Sequence, residues 1–343
     1  MAFARRRLFL PLMQLNKNIK IFINYFAGPL LFCWLAFSIY NQIVHQPGLL
    51  SSWLHIKESF TSNKFFYLIV VVLLMLVNWG IEAWKWKISV DVLHRLPFYQ
   101  AFKAVLSGVS FSVTTPNRIG EYLGRMIYVP EGMRLKIISI TVVGSLSQIL
   151  VTFIAGTAGF FLLQEQLLKS GLISFFWYQF IAFGLLGIIT ILTLFYFNLS
   201  TIEKWIEQGL KRSSWLHLIR HIQKFNMQLL IKLLLLSSVR YCVFMMQYIL
   251  LFRLFDVNVP VTAIFWVMSL VFLGLAVIPT IALVEVGIRG EITLQLMGLF
   301  TINSLGVTLT SVSIWFINLI VPALAGSFFI LSVKVFKQRH EGL

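Results

Sequence analysis

Apolar residues run in blocks of about 20 along the whole chain, with the polar residues gathered between them. A helix rises about 1.5 Å per residue, so a block of that length matches the hydrocarbon core of a bilayer. Six blocks qualify: 21–40, 65–87, 137–163, 172–197, 229–251 and 304–333. The last is long enough to tilt, or to kink at Pro322. Two further stretches, 97–128 and 260–300, are interrupted by polar motifs. The apolar part of the first, 102–114, is too short to cross, so 97–128 reads as a re-entrant helical hairpin. The stretch 260–300 reads as a second such hairpin or as two short spans. The pattern predicts an all-α integral membrane protein with six full transmembrane helices and two re-entrant or broken hairpins, eight spans if the hairpins are counted otherwise.

The basic residues orient this pattern. Arg5, Arg6, Arg7, Lys17 and Lys20 place the N-terminus in the cytoplasm under the positive-inside rule. Lys85, Lys87, Arg95, Lys103, Arg134 and Lys136 flank the first hairpin on the same side. Lys204, Lys211, Arg212, Arg220 and Lys224 fill the loop after the fourth span, and Lys334, Lys337 and Arg339 put the C-terminus inside. The expected division is a basic segment (1–20), a polytopic membrane domain (21–335) and a tail (336–343). Within the domain, Pro97-Phe98 precedes Thr115-Pro116 by about one helix, as Pro260-Val261 precedes Pro279-Thr280. The first copy enters from the cytoplasm and the second from outside, which predicts an inverted repeat of about 21–163 and 172–333.

Composition narrows the partners. The chain has 343 residues, 59% of them apolar, and a formal net charge of +16. A basic balance in a soluble protein would point to nucleic acid, but here the cations lie between apolar runs and face anionic lipid. The basic loop 201–226 carries Ile202, Trp205, Ile206, Leu210, Trp215 and Leu216 and reads as a helix in the headgroup layer. The N-terminus mimics a signal peptide but has a span-length apolar run and no small-residue cleavage site, so it reads as a retained helix. Cys33 and Cys242 both fall inside apolar runs, which gives no disulfide framework. His217 and His221 have no third ligand nearby, and there is no nucleotide-binding glycine loop or nucleophile elbow. No cofactor is expected. A homo-oligomer is compatible with the sequence, though no residue demands one.

Candidate chemistry sits in the two interruptions. The first reads Thr115-Pro116-Asn117-Arg118-Ile119-Gly120-Glu121, followed by Arg125; the second carries Glu285, Arg289 and Glu291 around Gly287 and Gly290. An ionised side chain at a bilayer centre costs about 2.5–3.5 kcal/mol on insertion scales, and broken helices survive there only against protein or a wet cavity. Arg118 and Arg125 suit a phosphate; Glu121 suits an arginine or a substrate ammonium. Glu285 and Arg289 are four apart, so they would face and neutralise one another on a helix. Arg240 lies half-way along the fifth span with Gln247 on its face, and needs a buried acid or an anionic ligand; Glu121 and Glu285 are the candidates. Asn78, Glu82 and Lys85 share a face but approach the cytoplasmic edge, and Gln148 and Ser145 read as interhelical glue.

With Arg118-Ile119-Gly120-Glu121, Arg125 and Glu285-Val286-Gly287-Ile288-Arg289-Gly290-Glu291, the chain resembles the lysylphosphatidylglycerol synthase transmembrane region, the flippase-like domain of multiple peptide resistance factors. Asn78-Trp79-Gly80-Ile81-Glu82-Ala83 and Arg240-Tyr241 with Gln247-Tyr248 strengthen the likeness, which covers about 20–335. The resemblance implies an inner-membrane protein, not an enzyme, that moves an anionic or aminoacylated phospholipid between leaflets. Two departures stand out. The chain carries no soluble aminoacyl-transferase domain, and Ala282-Leu283 replaces a Gly-Gly pair before Val284-Glu285. The alternative expectation is an intramembrane enzyme or accessory of a lipid-linked glycosyl- or aminoacyl-transfer pathway.

Overall fold

The computed structural model describes residues 64–113, 115, 118–199, 225–278 and 282–331. The expected first span, the basic N-terminal segment, nearly all of the amphipathic loop, the tail, and Pro116, Asn117, Pro279, Thr280 and Ile281 lie outside the described residues. Among the described residues every regular element is helical. Helix α1 is Phe65–Asp91, α2 Phe98–Ser112, α3 Gly120–Met126, α4 Arg134–Leu162, α5 Gln164–Lys169 and α6 Phe175–Phe197. Then follow α7 Met227–Leu254, α8 Val261–Val277, α9 Ala282–Met297, α10 Ser304–Trp315 and α11 Val321–Leu331. Among the described residues, five stretches are long and apolar enough to cross a membrane: α1, α4, α6, α7 and the combined α10–α11. The chain is a multi-pass membrane protein.

Local chemistry sets the boundaries. Pro97 and Pro260 stand in extended backbone directly before α2 and α8, where a missing N–H leaves no bond unmade. Asn226 caps α7 by accepting from Leu229 N, and Asn303 caps α10 by accepting from Gly306 N, each at 2.9 Å. In the last span the kink expected at Pro322 takes another form. Residues Phe316–Ile320 wind as a π-helix, and Val321 N bonds back to Phe316 O. Pro322 has no N–H to offer the Asn318 carbonyl, and the wide turn absorbs that loss before α11 resumes.

The hairpins differ in depth. Helix α3 has seven residues, about 10 Å of helix; Gly120 meets Phe111 and Gly124 meets Gly108, so it folds back antiparallel on α2. Helices α8 and α9 have 17 and 16 residues, about 25 Å each, so the second reaches further.

The packing repeats when the halves are exchanged. Pro97 and Pro260, and likewise Pro116 and Pro279, are 163 residues apart (97 to 260, 116 to 279). The first helices of the halves, α1 and α7, pack together. Their side-chain bonds pair Val71 with Gln247, Asn78 with Arg240 and Lys85 with Ser237. One series rises as the other falls, so these equivalent helices are antiparallel and the repeat is inverted. The hairpin helix of each half packs on the last span of the other: α2 on α11, and α8 on α4. At the equivalent crossings, Gly326 lies on Leu106 O and Ser110, and Gly156 lies on Ser269 O and Leu273. Leu106 and Ser269, and Ser110 and Leu273, are again 163 apart (106 to 269, 110 to 273). A Cβ at Gly156 would sit 2.9 Å from Ser269 O, and one at Gly326 closer still to Leu106 O, so both crossings require glycine.

Candidate functional site

The charges of the interrupted motifs converge on the seam between the halves, in two linked groups. The first is built on Glu82 of α1. Its Oε2 accepts from Lys85 Nζ at 2.8 Å and from Arg240 Nη1 at 3.1 Å; its Oε1 accepts from Arg125 Nη2 at 3.0 Å. Arg125 reaches it from α3 and also donates to Glu121 Oε2 at 3.2 Å. Arg240 comes from the fourteenth position of the 28-residue α7, so this group sits at mid-helix depth. Its Nε donates to Asn78 Oδ1 at 2.8 Å, and its guanidinium carbon lies 5.1 Å from the centre of the Trp79 ring. Asn78 Nδ2 in turn donates to Asn318 Oδ1, at 3.4 Å, inside the π-helical turn.

The second group is built on Glu285 of α9. Arg118 Nη2 donates to both of its oxygens, at 3.2 and 3.1 Å, and Arg289 Nη2 donates to Oε1. Arg289 Nη1 also donates to Tyr248 OH at 3.4 Å. The link from Arg118 joins the first hairpin to the second. Arg118 reaches it from a left-handed backbone, φ 56°, a conformation that costs a non-glycine residue about 1–3 kcal/mol. The turn is held where Gly120 N donates to Thr115 Oγ1 at 2.7 Å. Helix α3 then lies so tightly on α2 that a Cβ at Gly124 would stand 2.5 Å from Gly108 Cα.

Between the groups lies a cavity of about 260 Å³. Arg118, Glu121, Arg240, Glu285 and Arg289 line it with Asn78, Ser112, Gln148, Thr152 and Asn318. Trp79, Tyr241, Phe244, Phe272 and Trp315 supply much of the remaining wall. Such a chamber is below the roughly 300–1,000 Å³ of small-molecule pockets and suits a polar fragment rather than a whole lipid.

The sequence-based candidates are thus largely brought together, with three corrections. Arg240 does pair with a buried acid, but that acid is Glu82 rather than Glu121 or Glu285. Glu82 and Lys85 are not at a membrane edge: their side chains are 7% and 2% exposed, because α1 continues to Asp91. Glu291 does not join the site; it is exposed on the opposite face of α9 and accepts from Gln295. Arg125 belongs to the network but lies behind the cavity, 3% exposed. Gln247 serves packing, donating to Val71 O at 2.9 Å. Asn318 is a cavity residue with no part in the sequence-based expectations, and Gln148, expected as interhelical glue, also lines the cavity. A polar Asn four residues before Pro322 was the available signal for the first.

The lysylphosphatidylglycerol synthase TM region family matches residues 30–326, and the chain belongs to that family. No curated protein matches the chain. Membership supports a function connected with membrane lipid, in a transmembrane region rather than a catalytic domain.

Proposed function

We propose that this member of the family translocates a phospholipid, or a modified lipid, between the leaflets of the cell's inner membrane, with both termini in the cytoplasm. The carrying observation is one charged cavity at the meeting of two inverted hairpins and the α1–α7 seam. Broken helices meeting near the midplane are the usual setting of a transporter site. A headgroup passes through the cavity while its tails stay in hydrocarbon.

The bonding suggests how passage works. Arg118 is 42% exposed, although it spans the two hairpins through Glu285. A lipid phosphate that takes over Arg118 frees Glu285 to rest on Arg289 alone, and the hairpin-to-hairpin link opens. The ligand then shifts the balance between linked and separated hairpins by its preference for the second. Arg240, held by Glu82 and Asn78, is the second cationic contact at mid-helix depth.

The test is a reconstituted one. Full-length protein in liposomes should accelerate the loss of a labelled phospholipid from the outer leaflet. Arg118→Ala and Glu285→Gln should each slow that step about tenfold or more, the scale of one lost charge-assisted contact. Rates equal to the unmodified protein for both variants would remove the cavity from the mechanism.

A further inference from the structure

The charges around the cavity do not balance. Among the described residues five cations, Lys85, Arg118, Arg125, Arg240 and Arg289, are bonded to three carboxylates, Glu82, Glu121 and Glu285. Two positive charges are left over in a setting where an uncompensated charge is costly.

The hydrogen-bond inventory is lopsided in the same direction. Both oxygens of Glu82 and both of Glu285 already accept from cations. Of these three carboxylates, Glu121 alone keeps an oxygen without a bond to a described residue, since only its Oε2 takes Arg125. Three guanidiniums on the cavity wall, by contrast, keep unused N–H groups. Arg118 donates only through Nη2, Arg240 only through Nε and Nη1, and Arg289 Nε is buried without a partner. The wall therefore offers many donors and one spare carboxylate oxygen. A cationic aminoacyl group would find one carboxylate oxygen and one neutral acceptor, the buried and unpartnered Gln148 Oε1, against two opposing charges. A group with only acceptor oxygens and a charge of about −2 would fill the donors and cancel the excess.

We infer that the cavity selects a lipid whose headgroup ends in a phosphomonoester, carrying two negative charges on three terminal oxygens, over phosphodiester and aminoacylated lipids. The inference rests on the translocation reading for the route taken but not for the selectivity itself. Arg118, Arg240 and Arg289 each take one or more phosphate oxygens. Glu121 turns away a headgroup with further negative charge beyond the phosphate.

Binding is read by thermal unfolding of the full chain in detergent micelles. The micelles are doped at equal mole fraction with phosphatidic acid, phosphatidylglycerol, phosphatidylcholine or lysyl-phosphatidylglycerol; a fifth sample has inorganic phosphate in solution. A ligand that binds only the folded state raises Tm according to its affinity. At pH 8 phosphatidic acid should bind about tenfold or more tightly than phosphatidylglycerol, with the other two lipids weaker still. A phosphomonoester gains a proton near pH 6, so at pH 5 its advantage should disappear while phosphatidylglycerol binding stays level. Arg240→Gln should cut the preference towards parity, and Arg240→Lys, which keeps the charge, should retain it. Lysyl-phosphatidylglycerol binding as tightly as phosphatidic acid would overturn the inference, as would a preference unmoved by both pH and Arg240→Gln. A shift from inorganic phosphate equal to that from phosphatidic acid would overturn the lipid as its source. Liposome flux separates the two readings. Phosphatidic acid that binds selectively but is not moved defeats translocation alone, whereas transport of an aminoacylated lipid without selective phosphatidic acid binding defeats the selectivity alone.

Discussion

Glu82 and Glu285 each gather arginines at the same seam, yet they are wired differently. Around Glu82 the partners Lys85 and Arg125 are 2% and 3% exposed, and Arg240 is 19% exposed. Glu285 holds one sequestered arginine, Arg289, and one that is 42% exposed, Arg118. A carboxylate bonded to three largely enclosed cations cannot be released without stranding them. A carboxylate shared with a half-exposed arginine is exchangeable, because another anion can take that arginine at little cost. The first group fixes α1, α3 and α7 to one another, and the second is placed to open and close.

That contrast predicts its largest effect at Glu82. Glu82→Gln should lower the unfolding free energy by about 3–5 kcal/mol, the range for one partner lost from a buried pair. Glu285→Gln should cost about 1–2 kcal/mol, since Arg118 is partly solvated, and its main effect should fall on lipid flux. Thermal unfolding of the two variants in the same detergent decides; equal losses would erase the distinction between a locked and an exchangeable group. Next in size are the glycine crossings. Gly326→Ala and Gly156→Ala should each cost about 1–3 kcal/mol from overpacking, with Gly326 the worse because its nearest neighbour is a backbone carbonyl that cannot yield. The reverse order would mean that the two crossings are not equivalent.

Smaller effects sharpen the edges of the site. Tyr241 OH donates to Ser269 Oγ at 2.8 Å, tying α7 to α8 beside the cavity. Tyr241→Phe should cost about 0.5–1.5 kcal/mol, seen as a modest drop in Tm. Glu291→Gln should change stability by less than about 0.5 kcal/mol and leave flux untouched. A loss of transport in that variant would bring the outer face of α9 into the mechanism.

Much of the architecture is legible in the chain. Apolar length locates the five described spans, and Pro97, Gly120 and Pro260 mark where helices must start or turn. Charge partnership was harder to read. The apolar run of α1 stops near Lys87, which makes Glu82 look peripheral, but the helix continues to Asp91 and buries it. The pairing of Arg240 with Glu82 depends on the antiparallel register of two helices more than 150 residues apart, which no local pattern encodes. Glu291 could have been set aside on a helical wheel. It is two residues from Arg289, about 200° round the helix, on the opposite side.

Across the antiparallel pair α1 and α7 the two halves carry different charges. Shifting each charged residue by the 163-residue spacing of the prolines lands on an uncharged one: Glu82 on Met245, Lys85 on Tyr248, Arg118 on Ile281, Arg125 on Ile288. In the other direction, Glu285 lands on Tyr122, Arg289 on Met126 and Arg240 on Val77. Two identical half-length chains docked about a two-fold axis would present every residue twice, so each acid and each base would recur at the symmetry-related place. Joining the halves in one polypeptide removes that constraint, since each can mutate alone. The site takes its chemistry from what the halves do not share: the crossings of α2 on α11 and of α8 on α4 correspond, and the charged residues do not.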